Sequence, residues 1–350
     1  MVAAFDMTPD HIRGIYIVMN PGKLSNSRKE IIGMNKPSIG VIFHPSFPPT
    51  LLVDYARRAE AAGFDELWFW DDAFWAGALT SAAVVLATTE RLRVGIGILP
   101  VTARNPLFTA MELTTLACLY PGRIVPGFGH GVASWMTQIG AAPHSSLTAL
   151  EETVNVIRGL LRGELVSFEG REVKMDGVQM QRTPPQAPPL LIGAMREKTM
   201  QLAGRVGDGV ILTEMSSPDY VRYARTQMAH ADKQVVVYVQ ARVDADGQAA
   251  RQVIRPGLLE GLGWAEPQLR AAGLYEESRL LLQHEPSEAA RMIPDAWLSL
   301  LTASGTSEQA AKAIMALADA GATSIVLQPQ SGSPECLDGY IRYLMPVLKA

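Results

Sequence analysis

The sequence predicts an α/β fold, a single (β/α)8 TIM barrel with a helical insertion between strands seven and eight. Three observations carry this expectation. Strand and helix patterns alternate from Ile39 onward almost without interruption. The strand segments are short and continuously apolar, as strands covered on both faces of a parallel sheet are. Eight such units fit within about 310 residues, which suits a closed barrel better than an open sheet.

In order, the predicted strands are Ile39–Phe43, Glu66–Trp70, Leu92–Leu99, Ile124–Phe128, Leu190–Ile192, Val210–Leu212, Val235–Val243 and Ser324–Leu327. Helical patterns follow them at Leu51–Ala62, Ala78–Thr89, Leu107–Leu119, Leu147–Leu161, Lys198–Val206, Pro218–Ala231, Ser307–Ala320 and Leu337–Leu348. Gly63 stands where a helix would close in the left-handed conformation, and Pro106 suits a first helical turn. Thr306 with Gln309 three residues on fits a capping box. Two stretches break the rhythm. Val166–Met175, turning at Glu169-Gly170, reads as a β-hairpin, and Ile254–Ser304 reads as a helical insertion that shapes a substrate pocket. Residues 1–35 hold one short apolar run, Ile15–Met19, then a polar stretch from Asn20 to Lys29. They read as a loosely attached extension to a catalytic domain spanning 36–350.

Composition narrows the function. Thirty-one Lys and Arg against 35 Asp and Glu give a net charge of −4, not the basic footprint of a nucleic-acid binder. No window approaches the ~18 apolar residues of a membrane span, and Asp6 interrupts any secretory signal, so a cytoplasmic enzyme is expected. Cys118 and Cys336 are too few for a disulfide framework, and Cys118 is expected as a buried apolar residue. The six histidines lack ligand spacing, so no metal is expected.

In a barrel the loops after the strands carry chemistry. Those ends hold His44-Pro45-Ser46, Asp71-Asp72, Gly95-Ile96-Gly97-Ile98-Leu99-Pro100, Gly127-Phe128-Gly129-His130-Gly131, Gly193-Ala194-Met195-Arg196, Thr213-Glu214 and Gln328-Pro329-Gln330. Single glycines there would be barrel corners or bulges, but five on neighbouring strands suggest clearance for a planar cofactor. The run after strand four lacks the spacing of a dinucleotide fingerprint. Asp71-Asp72 offers one carboxylate to bond a ligand and another to move a proton, or else a pair that stabilises a loop or helix start. His130 is a candidate proton donor or ligand contact, or a hydrogen-bonded loop residue. Arg196, Lys198 and the helix start beside them suit an anion, favouring phosphate. The tryptophans at 68, 70, 75 and 135 give the expected mouth an apolar lining.

The segments EAAGFDELWFWDD (60–72), TTERLRVGIGILPVTARNP (88–106), LYPGRIVPGFGHG (119–131), PPLLIGAMREKTMQLAGRVGDGVIL (188–212) and DAGATSIVL (319–327) complete the reading. Through them the chain from about Ile39 to Leu348 resembles the luciferase-like monooxygenase superfamily, whose members bind FMN or the deazaflavin coenzyme F-420. The coenzyme F-420-dependent oxidoreductases are the nearest branch. The resemblance implies that Asp71 contacts the ring and that Gly97-Ile98 is a non-prolyl cis peptide forming a bulge behind it. It also implies that Pro100 contacts the ring, and that His130-Gly131 lines the ring and ribityl chain. Gly193, Met195, Arg196, Lys198 and Thr199 then belong to the phosphate-binding turn. Asp72 and Val132 replace the catalytic histidine and glutamate of the family's sugar-phosphate dehydrogenases, so the base for alcohol oxidation is missing. An F-420-linked reductase acting on an activated C=C, C=N or C=O is therefore expected, with Asp72 or His130 as proton donor. Its substrate would be a small molecule or modified peptide, and the family analogy implies a homodimer. The alternative is an FMN-dependent monooxygenase using reduced flavin and oxygen; a barrel without cofactor is the third reading.

Overall fold

The computed structural model describes residues 2–8, 11–18, 36–330 and 333–350. Residues 1–36 and 37–350 form two compact units. Within the first, strands Val2–Thr8 and His11–Val18 pair antiparallel, with a register shift between Asp6 and Met7. The stretch from Asn20 to Lys29 lies outside the described residues.

The second unit is a closed parallel barrel. Its strands are β1 (Ser38–Ile42), β2 (Glu66–Phe69), β3 (Arg93–Pro100), β4 (Ile124–Gly129), β5 (Leu191–Gly193), β6 (Gly209–Leu212), β7 (Gln234–Val243) and β8 (Ser324–Gln328). Each pairs in parallel with its neighbours, and pairing of β8 with β1 and of β6 with β7 completes the ring. Val41, Leu67, Val94, Ile124, Ile192, Val210, Val237 and Ile325 are buried against the helical layer. Ile42, Trp68, Val125, Leu191, Ile211, Val236, Tyr238 and Val326 form a separate cluster. Strand residues thus alternate between two apolar environments, which is why the strands read as continuous apolar runs.

Local chemistry sets the helix boundaries. Helix Leu52–Ala62 ends at Gly63 with φ 82°, and helix Pro106–Leu119 begins after Asn105, whose side chain accepts from the Leu107 N–H. The capping box of Thr306 and Gln309 starts helix Ser307–Asp319. Helix Pro218–Met228 stops short of its expected end because Ala229 turns left-handed, at φ 58°. The last helix is not regular: a π-helical segment, Tyr340–Leu344, separates Cys336–Gly339 from Met345–Lys349. Pro346 has no N–H to give the preceding turn there.

Strands Val166–Glu169 and Lys174–Val178 form the expected hairpin; the Glu152 carboxylate accepts from the N–H groups of Arg171, Glu172 and Val173 beside it. The insertion starts earlier than Ile254. Asp246 caps a helix over Gly247–Leu262 by accepting from Gln248 and Ala249, and four shorter helices follow to Leu301. They enclose a small core of their own around Leu258, Leu269, Trp297 and Leu298, which also takes in Met215 from the loop after β6. A short strand, Ala303–Gly305, then pairs with the end of β7. Cys118 differs from expectation, being only partly buried near the Thr183 carbonyl, whereas Cys336 is buried. Among the described residues no helix is long and apolar enough to cross a membrane.

Candidate active site at the barrel mouth

All eight strands run the same way, so the ends of β1–β8 bring their following residues to one mouth. Gly97-Ile98 is a non-prolyl cis peptide, and β3 is out of register with β4 between Ile96 and Leu99. This bulge is anchored on one side by the Asp71 N–H, which donates to the Ile98 carbonyl at 3.1 Å. On the other side the Ile98 side chain sits where side chains on Gly129 and Gly193 would stand. A Cβ at Gly129 would lie 2.8 Å from Ile98 Cγ1, and one at Gly193 2.6 Å from Ile98 Cγ2.

This corrects the expectation that the glycines clear space for a planar ring. Trp68 fills the space at Gly95, Tyr238 and Ile211 that at Gly97, and Ile211 that at Gly127. At Gly131, with φ 67°, Pro100 and Met136 are the neighbours. The glycines admit the barrel's own side chains, and those at 129 and 193 seat the bulge. Trp68 is likewise not at the mouth: it is 1% exposed and its indole donates to Glu66 at 2.6 Å.

The acidic pair divides its work. Asp71 accepts from the Ala78 N–H at 3.1 Å, at the start of helix Ala78–Thr88, and from Arg104 at 2.5 Å. Both its oxygens therefore already hold the mouth loop together. Asp72 differs. Burial pushes its carboxyl up to about 6, against a bond from the Trp70 indole and with a small further rise from Asp71. Glu214, just after β6, is raised mainly by desolvation, despite a hydrogen bond from Gln328, and Glu260 and Asp72 raise it further. Burial lowers the His44 imidazole to about 4, so it is neutral near pH 7, with Nδ1 2.7 Å from the Ser46 hydroxyl.

His130 has a structural setting. Its Nδ1 lies 3.1 Å from the Ser146 carbonyl, which can only accept, so Nδ1 carries the hydrogen. Nε2 is then the acceptor facing the Thr199 hydroxyl at 3.4 Å, and burial lowers the imidazole's pKa, keeping it neutral. Thr199 is buried in the first turn of helix Glu197–Val206. Arg196, at the N-cap, gives that helix no side-chain cap, which leaves first-turn N–H groups for an anion. The Tyr220 hydroxyl fixes the Met195 carbonyl at 2.6 Å, while Arg196 and Lys198 are exposed.

A cavity of about 410 Å³ opens at the mouth, with His44, Trp70, Glu214, Gln240, Gln328 and Trp264 among its walls. The Gln240 and Gln328 Oε1 atoms are buried without a hydrogen-bond partner. Sequence reasoning placed His44, Glu214 and Gln328 at strand ends without joining them, and missed Gln240 and Trp264. Gln240 carried a readable signal, a polar residue inside the apolar run of β7; Trp264 carried none, since the insertion's path is not written locally. Among the described residues no group of three His, Cys, Asp or Glu side chains is arranged to hold a metal ion.

Comparison with known proteins agrees with this architecture. The chain is 26% identical over 314 residues to a 5,10-methylenetetrahydromethanopterin reductase of Methanolobus tindarius, covering 85% of this chain and 94% of that protein. It is 26% identical over 328 residues to an F-420-dependent glucose-6-phosphate dehydrogenase of Kineococcus radiotolerans, covering 87% and 94%. The solved coenzyme F-420-dependent tetrahydromethanopterin reductase of Methanopyrus kandleri shares the fold, with a TM-score of 0.77 at 20% identity over 89% of this chain and 99% of that one. The model of the luciferase-like monooxygenase family matches residues 33–324, and the chain belongs to that family.

Proposed function

We propose that this protein is a coenzyme F-420-dependent reductase that delivers hydride to an activated C=C, C=N or C=O. The observation that carries the reading is the pairing, on one mouth, of the Gly97-Ile98 bulge with the uncapped start of helix Glu197–Val206. These residues fit a ring-bearing anionic cofactor: the bulge gives the ring a firm backing, and the helix start with Arg196 and Lys198 suits its phosphate. The relatives named above support the deazaflavin over other rings.

The deazaflavin supplies two-electron hydride transfer when bound. The protein's own part is positioning and proton management. Asp71 holds the loop that carries Asp72 and ties it to the bulge. Asp72, with its carboxyl near 6, retains a useful proton fraction close to neutrality and is suited to donate it. His130 keeps the Thr199 hydroxyl in place rather than supplying a proton. Trp70 and Trp264 give the cavity indole walls.

The test is a fluorescence titration of the protein with oxidised F-420 beside FMN. Saturable binding of F-420 and none of FMN is expected, with Arg196→Ala weakening it about tenfold, the cost of one charge-assisted hydrogen bond. Binding of FMN alone would replace the reading with a flavin-dependent monooxygenase.

A further inference from the structure

The cavity at the mouth has an unbalanced chemistry. Glu214 and Glu260 stand on its walls, and Asp72 is bonded to Trp70, another wall residue. None of the described lining residues is lysine or arginine. Two further acceptors, the amide oxygens of Gln240 and Gln328, are buried there with no donor from the protein. Buried acceptors without partners are rare and costly, so a ligand bringing N–H groups gains what the protein leaves unmade. Trp70 and Trp264 add indole rings that favour a cation. A phosphate or carboxylate would meet carboxyl groups and bare amide oxygens, with no cation to pair it.

From this we infer that the substrate is an imine whose nitrogen is protonated in the site, flanked by an apolar or aromatic group, and not an anionic compound. The inference rests on the reductase reading and names its substrate class. The step balances simply. Asp72 gives its proton to the imine nitrogen, forming an iminium ion beside the new carboxylate. A bound reduced deazaflavin would supply the hydride to the iminium carbon, and the C=N π pair would pass to nitrogen. An amine leaves, and Asp72 recovers its proton from water. Glu214 and Glu260 favour the cationic intermediate, while Gln240 and Gln328 accept from its N–H.

The test uses the full chain without coenzyme and follows tryptophan fluorescence on titration with benzylammonium, benzyl alcohol and benzoate near pH 7.5. Benzylammonium is expected to bind at least tenfold more tightly than the alcohol, with benzoate weakest. The double variant Glu214→Gln, Glu260→Gln is expected to bring the ammonium and the alcohol within about twofold of each other. Equal binding of benzoate, no saturation by benzylammonium at millimolar concentration, or a preference that survives the double variant would each overturn the inference. Because no coenzyme is present, the F-420 titration fails or succeeds separately. An ammonium preference without F-420 binding would remove the reductase reading while leaving the cation-selective pocket.

Discussion

Two acidic residues of the same barrel live differently. Glu66, at the start of β2, is 2% exposed and fully engaged: the Trp68 indole and the Ser324 hydroxyl each donate to it at 2.6 Å, and Arg93 closes an ion pair. Glu214, just past the end of β6, has the Gln328 amide and, among the described residues, no ion-pair partner, and desolvation raises its pKa. Around Glu66 the polar groups are satisfied by the protein; around Glu214 the amide oxygens of Gln240 and Gln328 are not. A satisfied network stabilises and specifies the fold, whereas groups left wanting partners mark where a ligand completes the structure.

The largest expected effect falls on the satisfied end. Glu66→Ala strands the buried Trp68 indole and Ser324 hydroxyl and should destabilise by about 2 to 4 kcal/mol, the cost of leaving buried donors unsatisfied. Urea denaturation checks this, and an unchanged midpoint would remove the structural role. At the mouth, Gly129→Ala forces Ile98 to move, since the new Cβ would stand 2.8 Å from Ile98 Cγ1. Overpacking of this kind costs about 1 to 3 kcal/mol. F-420 affinity should fall with it, and a variant that keeps wild-type affinity would show that the seat of the bulge does not shape the coenzyme site.

A smaller effect sharpens the contrast through pH. The folded Asp72 carboxyl lies near 6, above the ordinary 3.8, so the folded state binds more protons in between. Stability contributed by this group is therefore complete at low pH and declines as pH rises from about 4 to about 6. Asp72→Asn should flatten that part of the urea-midpoint profile. An unaltered slope would mean that the group titrates normally.

The sequence made the barrel legible because each strand is apolar toward both its helices and its interior, and because Gly63, Asn105-Pro106 and Thr306 mark helix ends chemically. The insertion's start was hidden because the signal at Asp246 precedes the apolar pattern beginning at Ile254. The site was legible only in pieces. Asp71-Asp72 and Gly193–Thr199 are local features, but the cavity is assembled from β1, β2, β6, β7, β8 and the insertion, so no spacing reveals it. The glycines misled for a physical reason. A residue without Cβ admits a neighbour of any origin, and here the neighbours are Trp68, Ile98, Ile211 and Tyr238 rather than a ring.

The difference between the two acids is tested most directly by urea denaturation of Glu214→Gln beside Glu66→Gln at pH 8. The account predicts that the Glu66→Gln midpoint falls, because Arg93 loses its carboxylate. Glu214→Gln should match or exceed the wild type, because a desolvated acid has been replaced by a neutral group. A fall for Glu214→Gln as large as that for Glu66→Gln would contradict the account and make Glu214 a structural residue.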